Sequence, residues 1–504
     1  MNTGKMAREP RKPLLSRVPA DFVRAVLKGH SGLGLAFAAA IYLVCLTGSI
    51  AVFAQEFERW EQADAPRLES ASPQAVQSAL EAMVAQAGTN VGHAYIRMPS
   101  PALPHLTLSL EGEGPGWIAD AEGRLVGEVR TPWTQFITRL HINLHLPQSW
   151  GLFLVGLTGV ALLSSLISGI LAHPRIFRDA FHLRLGGSRR LQEADLHNRL
   201  GVWALPFHVA VSLTGALLGL TTLIVGVLGI ALFQGDVGKV YELFLPAEPK
   251  EDARPAPVID LVPMFAELRK QVPDGRVELV MLEHPTERGG AALFNVTHDD
   301  SRLANTDTFA FDRSGLYHAR RAGDNNLGEN ILASLGKVHF GWFGGGVIKV
   351  AYALLGLGLT YLAASGVTIW LARRRDKRNP APGWERVWTS VVWGQPAALA
   401  LGAAVAAVSP AVSIGALVAV WGGVSLAALA AAIRFEPPAL SRGLKLLTAA
   451  ALTAAGGAHL LLRMGGDPVA WTVDLVLIVL GFALGWWGIR TRSVPQTPRT
   501  APSP

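Results

Sequence analysis

Seven of the fourteen histidines in this 504-residue chain stand at or within the ends of long apolar runs: His30, His141, His145, His173, His197, His208 and His339. An imidazole at membrane depth is costly to keep, which makes each of them a candidate for function. Neutral imidazole can bind a metal, ligate haem, relay a proton, or simply be satisfied inside a helix bundle. His197 and His208 lie eleven residues apart in the apolar stretch 196–221. At roughly 100° per residue that is about three turns, so on one continuous helix both would share a face, roughly 16 Å apart. Two imidazoles so placed suit haems held between helices.

Other readings of the histidines stay open. A histidine at a membrane interface also snorkels or caps a helix, as His30 and His173 would. His141 and His145 have the i,i+4 spacing of a zinc pair, and a proton relay is a third use. Haem is preferred because the histidines fall at both faces of the membrane, on antiparallel spans. The spans also read as free of acidic groups, which argues against a proton-coupled transporter. Lys349 is the conspicuous span charge, positioned to snorkel or to neutralise a haem propionate.

The chain contains an internal copy. Residues 30–48 open His30-Ser-Gly-Leu-Gly and close Leu46-Thr47-Gly48; residues 197–215 open His197-Asn-Arg-Leu-Gly and close Leu213-Thr214-Gly215, without a gap. Ser365-Gly366 repeats Ser168-Gly169, and His339 repeats His141. Such self-similarity predicts duplicated architecture. The symmetry is imperfect, since Gly or Phe, Trp370 and Ile41 occupy the places matching His145, His173 and His208.

Half of the residues are hydrophobic and 16% are charged, with several apolar runs beyond 18 residues. The composition predicts a mainly α, polytopic helical membrane protein of about eight spans. The net charge of +7 does not point to nucleic acid, because the basic residues flank the spans as orientation signals do. A single cysteine, Cys45, excludes an intrachain disulfide and a cysteine metal site.

Taken in order, the expected organisation is a basic, cytoplasmic N-terminus at 1–29, a retained first span at 30–54, an outer domain at 55–145 and a second span at 150–173. A cytoplasmic loop at 174–196, a third span at 197–232, a second outer domain at 233–338 and a fourth span at 345–372 follow. Four further spans fill 390–490, and a disordered Pro/Thr/Arg tail occupies 491–504. Both termini are then cytoplasmic. Each outer domain reads as small α+β: a capped helix after Ser72-Pro73, strands near 92–98 and 106–110, and a turn at Asp120–Gly123; then a helix near 258–270, strands near 277–282, 291–296 and 308–311, and a turn at Asp312–Gly315.

The pattern resembles the PepSY-associated transmembrane helix family, the iron-regulated membrane proteins of Gram-negative bacteria. The residues that carry the resemblance are His30 with Leu46-Thr47-Gly48, Leu140-His141 with His145, Ser168-Gly169 with His173-Pro-Arg-Ile-Phe177, Leu196-His197 with Leu205-Pro206-Phe207-His208 and Thr214-Gly215, and His339 with Ser365-Gly366. The resemblance implies an inner-membrane ferrisiderophore reductase with b-type haem, two in number, and PepSY-like periplasmic domains. Electrons would enter on the cytoplasmic side, and a ferric siderophore or other ferric chelate would be reduced in the periplasm. All seven histidines are then haem-ligand candidates. His339 with His141 or His145 would hold an outer haem; His208 with His173, or His30 with His197, an inner one. No catalytic acid or base is expected. The chain has no Rossmann, P-loop or flavin motif, which leaves quinol or a membrane electron donor as the source. The rival expectation is a non-enzymatic PepSY protein that binds a ligand or partner, or moves siderophore.

Overall fold

A computed structural model describes residues 19–490 apart from 89–90, 113, 115, 174–188, 244–251, 301 and 464. The expected cytoplasmic loop lies mostly outside the described residues, as do the tail and most of the N-terminus.

The first half comprises α1 (Ala20–Ala51), α2 (Ala54–Glu61), α3 (Pro73–Ala87), β1 (His93–Arg97), β2 (Leu106–Leu110), β3 (Gly116–Ala119), β4 (Leu125–Val129), α4 (Pro132–Asn143) and α5 (Gln148–Ala172). The second half repeats this order with α6 (Arg189–Trp203), α7 (Leu205–Gly219), α8 (Thr221–Phe233), a single turn α9 (Gly238–Tyr241), α10 (Val262–Gln271), β5 (Arg276–Glu283), β6 (Ala291–Thr297), β7 (Thr306–Asp312), β8 (Gly315–Arg320), α11 (Leu327–Phe340) and α12 (Gly345–Asp376). Four helices then close the chain: α13 (Pro382–Val408), α14 (Ile414–Arg434), α15 (Pro437–Leu462) and α16 (Pro468–Arg490). Seven helices among the described residues are long and apolar enough to cross a membrane, and the bent pair α6–α7 makes an eighth. The protein is a multi-pass membrane protein.

The third span is not the straight helix that the eleven-residue spacing implied. α6 and α7 meet at 72°. Pro206 is the physical reason: it donates no N–H to the preceding turn, and its ring crowds the carbonyl four residues back. His197 and His208 therefore stand on different helices and share no face.

The extramembranous parts also differ in one respect from two separate domains. Their strands form one antiparallel eight-stranded sheet, ordered β4-β3-β2-β1-β5-β6-β7-β8. β1 pairs with β5 in the register His93↔Glu283 through Arg97↔Leu279, so the two copies share a central seam. α3 and α10 bury Val76, Leu80, Met83 and Leu268 against this sheet. Local chemistry sets the elements: Ser72 Oγ caps α3 by accepting from Ala75 N–H at 3.1 Å, and Asn326 with Glu329 forms a capping box on α11. Gly123 takes φ +83° in the β3–β4 turn, where a Cβ would strike the Ala75 carbonyl at 2.1 Å.

The spans are not free of acidic groups. Asp474 sits nearly two turns into α16, almost fully buried. It accepts from Trp60 Nε1 at 2.7 Å and pairs with His459 Nδ1 at 3.0 Å. His459 Nε2 donates to the Trp60 carbonyl at 2.7 Å. Arg59 adds a two-pronged bond to Asp467 at 2.7 and 2.8 Å. Burial pushes the Asp467 carboxyl up, but the Arg59 fork and the Val469 N–H outweigh it and hold it below its ordinary range. These contacts pin α2 to the C-terminal helices. Lys349 is likewise paired, donating to Glu56 at 2.7 Å and Gln55 at 2.8 Å, so its charge is met by the protein itself.

Candidate functional site

The repeat becomes chemistry at four histidines. On the sheet side, α4 and α11 present His141 and His339. The two rings stand 6.1 Å apart, centre to centre, with planes 20° from parallel. His141 Nδ1 donates to the Val44 carbonyl at 3.0 Å. His339 Nδ1 donates to Thr214 Oγ1 at 3.0 Å, and the Thr214 hydroxyl hydrogen is committed to the Ala210 carbonyl at 2.7 Å. On the opposite side, His30 Nδ1 donates to the Ser165 carbonyl at 3.0 Å and lies 3.2 Å from Ser168 Oγ. His197 Nδ1 donates to Ser365 Oγ at 2.8 Å, and Ser365 Oγ donates to the Leu362 carbonyl.

One tautomer follows for all four. A carbonyl only accepts, and a hydroxyl whose hydrogen is already given away can only accept in turn. Each Nδ1 must carry the proton, which leaves each Nε2 with an available lone pair. A fixed Nδ1–H with a bare Nε2 is how proteins orient an imidazole for a metal.

The repeated glycines make room beside the rings. A Cβ on Gly48 would stand 2.6 Å from His141 Cε1, and one on Gly215 would stand 2.8 Å from His339 Cε1. On the other side, a Cβ on Gly169 would come within 3.3 Å of His30 Cε1, and one on Gly366 within 3.6 Å of His197 Cε1. The Leu-Thr-Gly and Ser-Gly copies are thus the floors under the histidines of both halves.

His30, His173 and His197 line a cavity of about 210 Å³ together with Trp370 and Arg373. Its walls are the helices α1, α5, α6 and α12, and they are mainly apolar. His208 is fully buried on α7; it approaches the Leu355 carbonyl without good hydrogen-bond geometry, and its ring neighbour among the described residues is Phe207. Among the described residues no second histidine ring packs against it. His145 lies past the end of α4, with φ +53°; its Nε2 donates to the Phe136 carbonyl at 2.9 Å and its ring stacks on Phe136 at 5.0 Å. That nitrogen is used, so His145 closes the end of α4 and does not join the His141–His339 pair. Among the described residues no group of three or more His, Cys, Asp or Glu is arranged to hold a metal, and the i,i+4 zinc pairing of His141 with His145 fails because the His145 ring is turned to Phe136.

Two functional features escaped the sequence. α4 and α11 are short amphipathic helices, not simple approaches to the spans. α4 buries Trp133, Phe136, Ile137 and Leu140 against Leu399, Ala403 and Leu417 of α13 and α14, and turns His141 toward α1. Glu61 caps α4 from below, accepting from Trp133 N at 2.6 Å, Thr134 N at 2.9 Å and Thr134 Oγ1 at 2.7 Å. The apolar spacing Trp133, Phe136, Ile137, Leu140 was the signal for this helix.

The fold and the site define a duplicated, multi-pass membrane protein in which each half contributes one histidine to each of two sites, one near the sheet and one at the far end of the helices. The chain belongs to the family described as the PepSY-associated TM region, which matches residues 27–373. It is also 32% identical, over 243 residues, to an uncharacterised protein of Pseudomonas aeruginosa; the match covers 44% of this chain and 60% of that protein. The four C-terminal helices lie outside the family match.

Proposed function

We propose that the protein is a haem-dependent reductase of the bacterial inner membrane, which passes electrons to a periplasmic ferric chelate such as a ferric siderophore. The observation that carries this reading is the matched pair His141–His339. His141 and His339 would hold the haem iron through their bare Nε2 atoms, one imidazole from each half of the chain. The 6.1 Å between the ring centres leaves room for one metal between the two Nε2 atoms. The glycine floors and the uniform Nδ1–H tautomer fit the same use. His30 and His197 face the second site, where the cavity is apolar and Arg373 at its rim suits a carboxylate. His173 borders that cavity as an additional polar group.

Haem b at these two places supplies one-electron redox chemistry on each side of the bilayer. The chain's own residues orient and isolate it. Thr214, Val44, Ser165 and Ser365 fix the imidazoles, and α13 and α14 brace α4. Along α1, His30 and Val44 are separated by roughly 21 Å of helical rise, most of an apolar core about 30 Å thick. The basic ends of α12, α14 and α16 favour the cytoplasm, which supports a periplasmic position for the sheet and the His141–His339 pair. There a ferric chelate need only dock at the sheet side. One added electron weakens the hold of hard oxygen ligands on iron and releases Fe(II). Quinol or a membrane partner would donate at the side of His30 and His197.

The test is reoxidation. Protein reduced with dithionite should be reoxidised by a ferric siderophore and not by its gallium analogue, which binds alike but takes no electron. Reduced protein that stays reduced with every ferric chelate would overturn the reading in favour of a binding or transport role.

A further inference from the structure

The seam between the two halves of the sheet carries a second pair of histidines that the membrane sites do not use. His93 opens β1, and His284 follows β5 directly, so the pair joins one copy of the duplicated unit to the other. Their ring centres are 5.8 Å apart, with planes at 54°. His93 Nδ1 lies 2.7 Å from Glu111 Oε2, and His284 Nδ1 lies 3.2 Å from Glu287 Oε1. Carboxylates only accept when ionised, so each Nδ1 carries a proton, and in the neutral ring each Nε2 keeps its lone pair. Both side chains are about half exposed, at 42% and 52%. No other hydrogen bond is made by either ring among the described residues.

The backbone holds this arrangement against its own preference. His284 takes φ +45°, a left-handed conformation that strains a residue with a Cβ, and its N–H is locked to the Gly92 carbonyl at 2.6 Å. Strain retained at an exposed strand end, with the ring turned to face a second imidazole, is the pattern of a site and not of a loop end.

We propose that His93 and His284 bind a borderline divalent transition ion of the zinc or copper class, with water or an incoming ligand completing the coordination. Two imidazoles on one such ion, at about 2.0–2.1 Å, put their ring centres roughly 5 to 6 Å apart across the tetrahedral to open range of angles. The observed spacing lies in that range. Glu111 and Glu287 are the carboxylates that orient the two rings behind the ion and raise their basicity. Imidazole selects zinc, copper, nickel or ferrous iron over calcium and magnesium. An ion here ties β1 to β5 and so clamps the two copies together. The site is independent of the haem reading and stands or falls without it.

The experiment uses the full chain, purified without a polyhistidine tag, with Cu²⁺ as probe. Titration followed by electron paramagnetic resonance should show one Cu²⁺ with coupling to two imidazole nitrogens, undisturbed by excess Ca²⁺. His93→Gln and His284→Asn should each weaken binding at least about tenfold, a loss on the scale seen when support of a metal ligand is removed. Asn tolerates the left-handed backbone, so the second variant keeps the turn. Glu111→Gln should weaken binding less, and His318→Ala, three strands away on β8, should not change it. Zn²⁺ should raise the thermal midpoint of the wild type and leave that of both histidine variants unmoved, a readout that also checks that they fold. Unchanged Cu²⁺ affinity in both variants, or a two-nitrogen signal surviving in the double variant, overturns the proposal.

Discussion

The imidazoles of His141 and His339 stand 6.1 Å apart, 20° from parallel, each with Nδ1 bound and Nε2 bare. They come from different halves of the chain, on equivalent helices, over equivalent Thr-Gly floors. Neither half alone makes this pair, so the duplication assembles the site.

His141→Ala and His339→Ala should each lower the haem content from two per chain to one, and His197→Ala should remove the other. Water replaces a lost axial imidazole poorly. Haem extraction and quantitation check this, and full occupancy in either outer variant would remove that histidine from the ligand set.

Thr214→Val keeps the shape of the floor but takes away the acceptor for His339 Nδ1–H. Outer-shell partners of this kind are worth roughly 10- to 100-fold in affinity. Haem retention under competition with apomyoglobin should fall by that order, while the site of His30 and His197 is unaffected.

Gly215→Ala should empty the sheet-side site without unfolding the helices, because its Cβ would stand 2.8 Å from His339 Cε1. The same change at Gly226 on α8, where a Cβ meets nothing within 4 Å, should be silent. Equal haem loss in both variants would contradict the account of the floors.

Glu61 makes stability depend on pH. Burial pushes its carboxyl up to about 7 from an ordinary 4.5, against the pull of the Thr134 and Trp133 donors and of Arg463. A carboxyl raised on folding contributes stability that is present below its unfolded value and lost as pH rises through its folded value. The thermal midpoint should therefore fall between about pH 4.5 and 7 by a component that Glu61→Gln removes. An identical slope in the variant would sink this reading.

The His459–Asp474–Trp60 contact should be costly to break. The Trp60 carbonyl takes one imidazole proton, and a second lies between Nδ1 and the Asp474 carboxyl. Removing one partner leaves a buried polar group uncompensated, at roughly 3 kcal/mol. Asp474→Leu should lower the denaturation midpoint accordingly; an unchanged midpoint would show that the cluster is not what holds α2 to α15 and α16.

Much of this was legible in the residues. The His, Leu-Thr-Gly and Ser-Gly copies marked His30 with His197 and His141 with His339 as repeats, while seven histidines remained candidates and the repeat alone left their pairing open. The hairpin turns at Asp120–Gly123 and Asp312–Gly315 appeared as expected. What did not show was long-range or cooperative. Pairing of β1 with β5 depends on two distant edges meeting, which no local pattern encodes. The bend before His208 was written in Pro206, but the apolar run on both sides masked it. Asp474 was overlooked inside its apolar run, and its partners Trp60 and His459 lie far away in sequence. His145 matched its neighbour's spacing but falls after the helix ends at Asn143, so its ring turns elsewhere.

The most direct test of the central claim is an optical spectrum of the purified full-length protein, oxidised and then reduced with dithionite, beside that of His339→Ala. The account predicts low-spin b-type bands equivalent to two haems in the wild type and about half that absorbance in the variant. A colourless wild type, or a variant with undiminished bands, would contradict it.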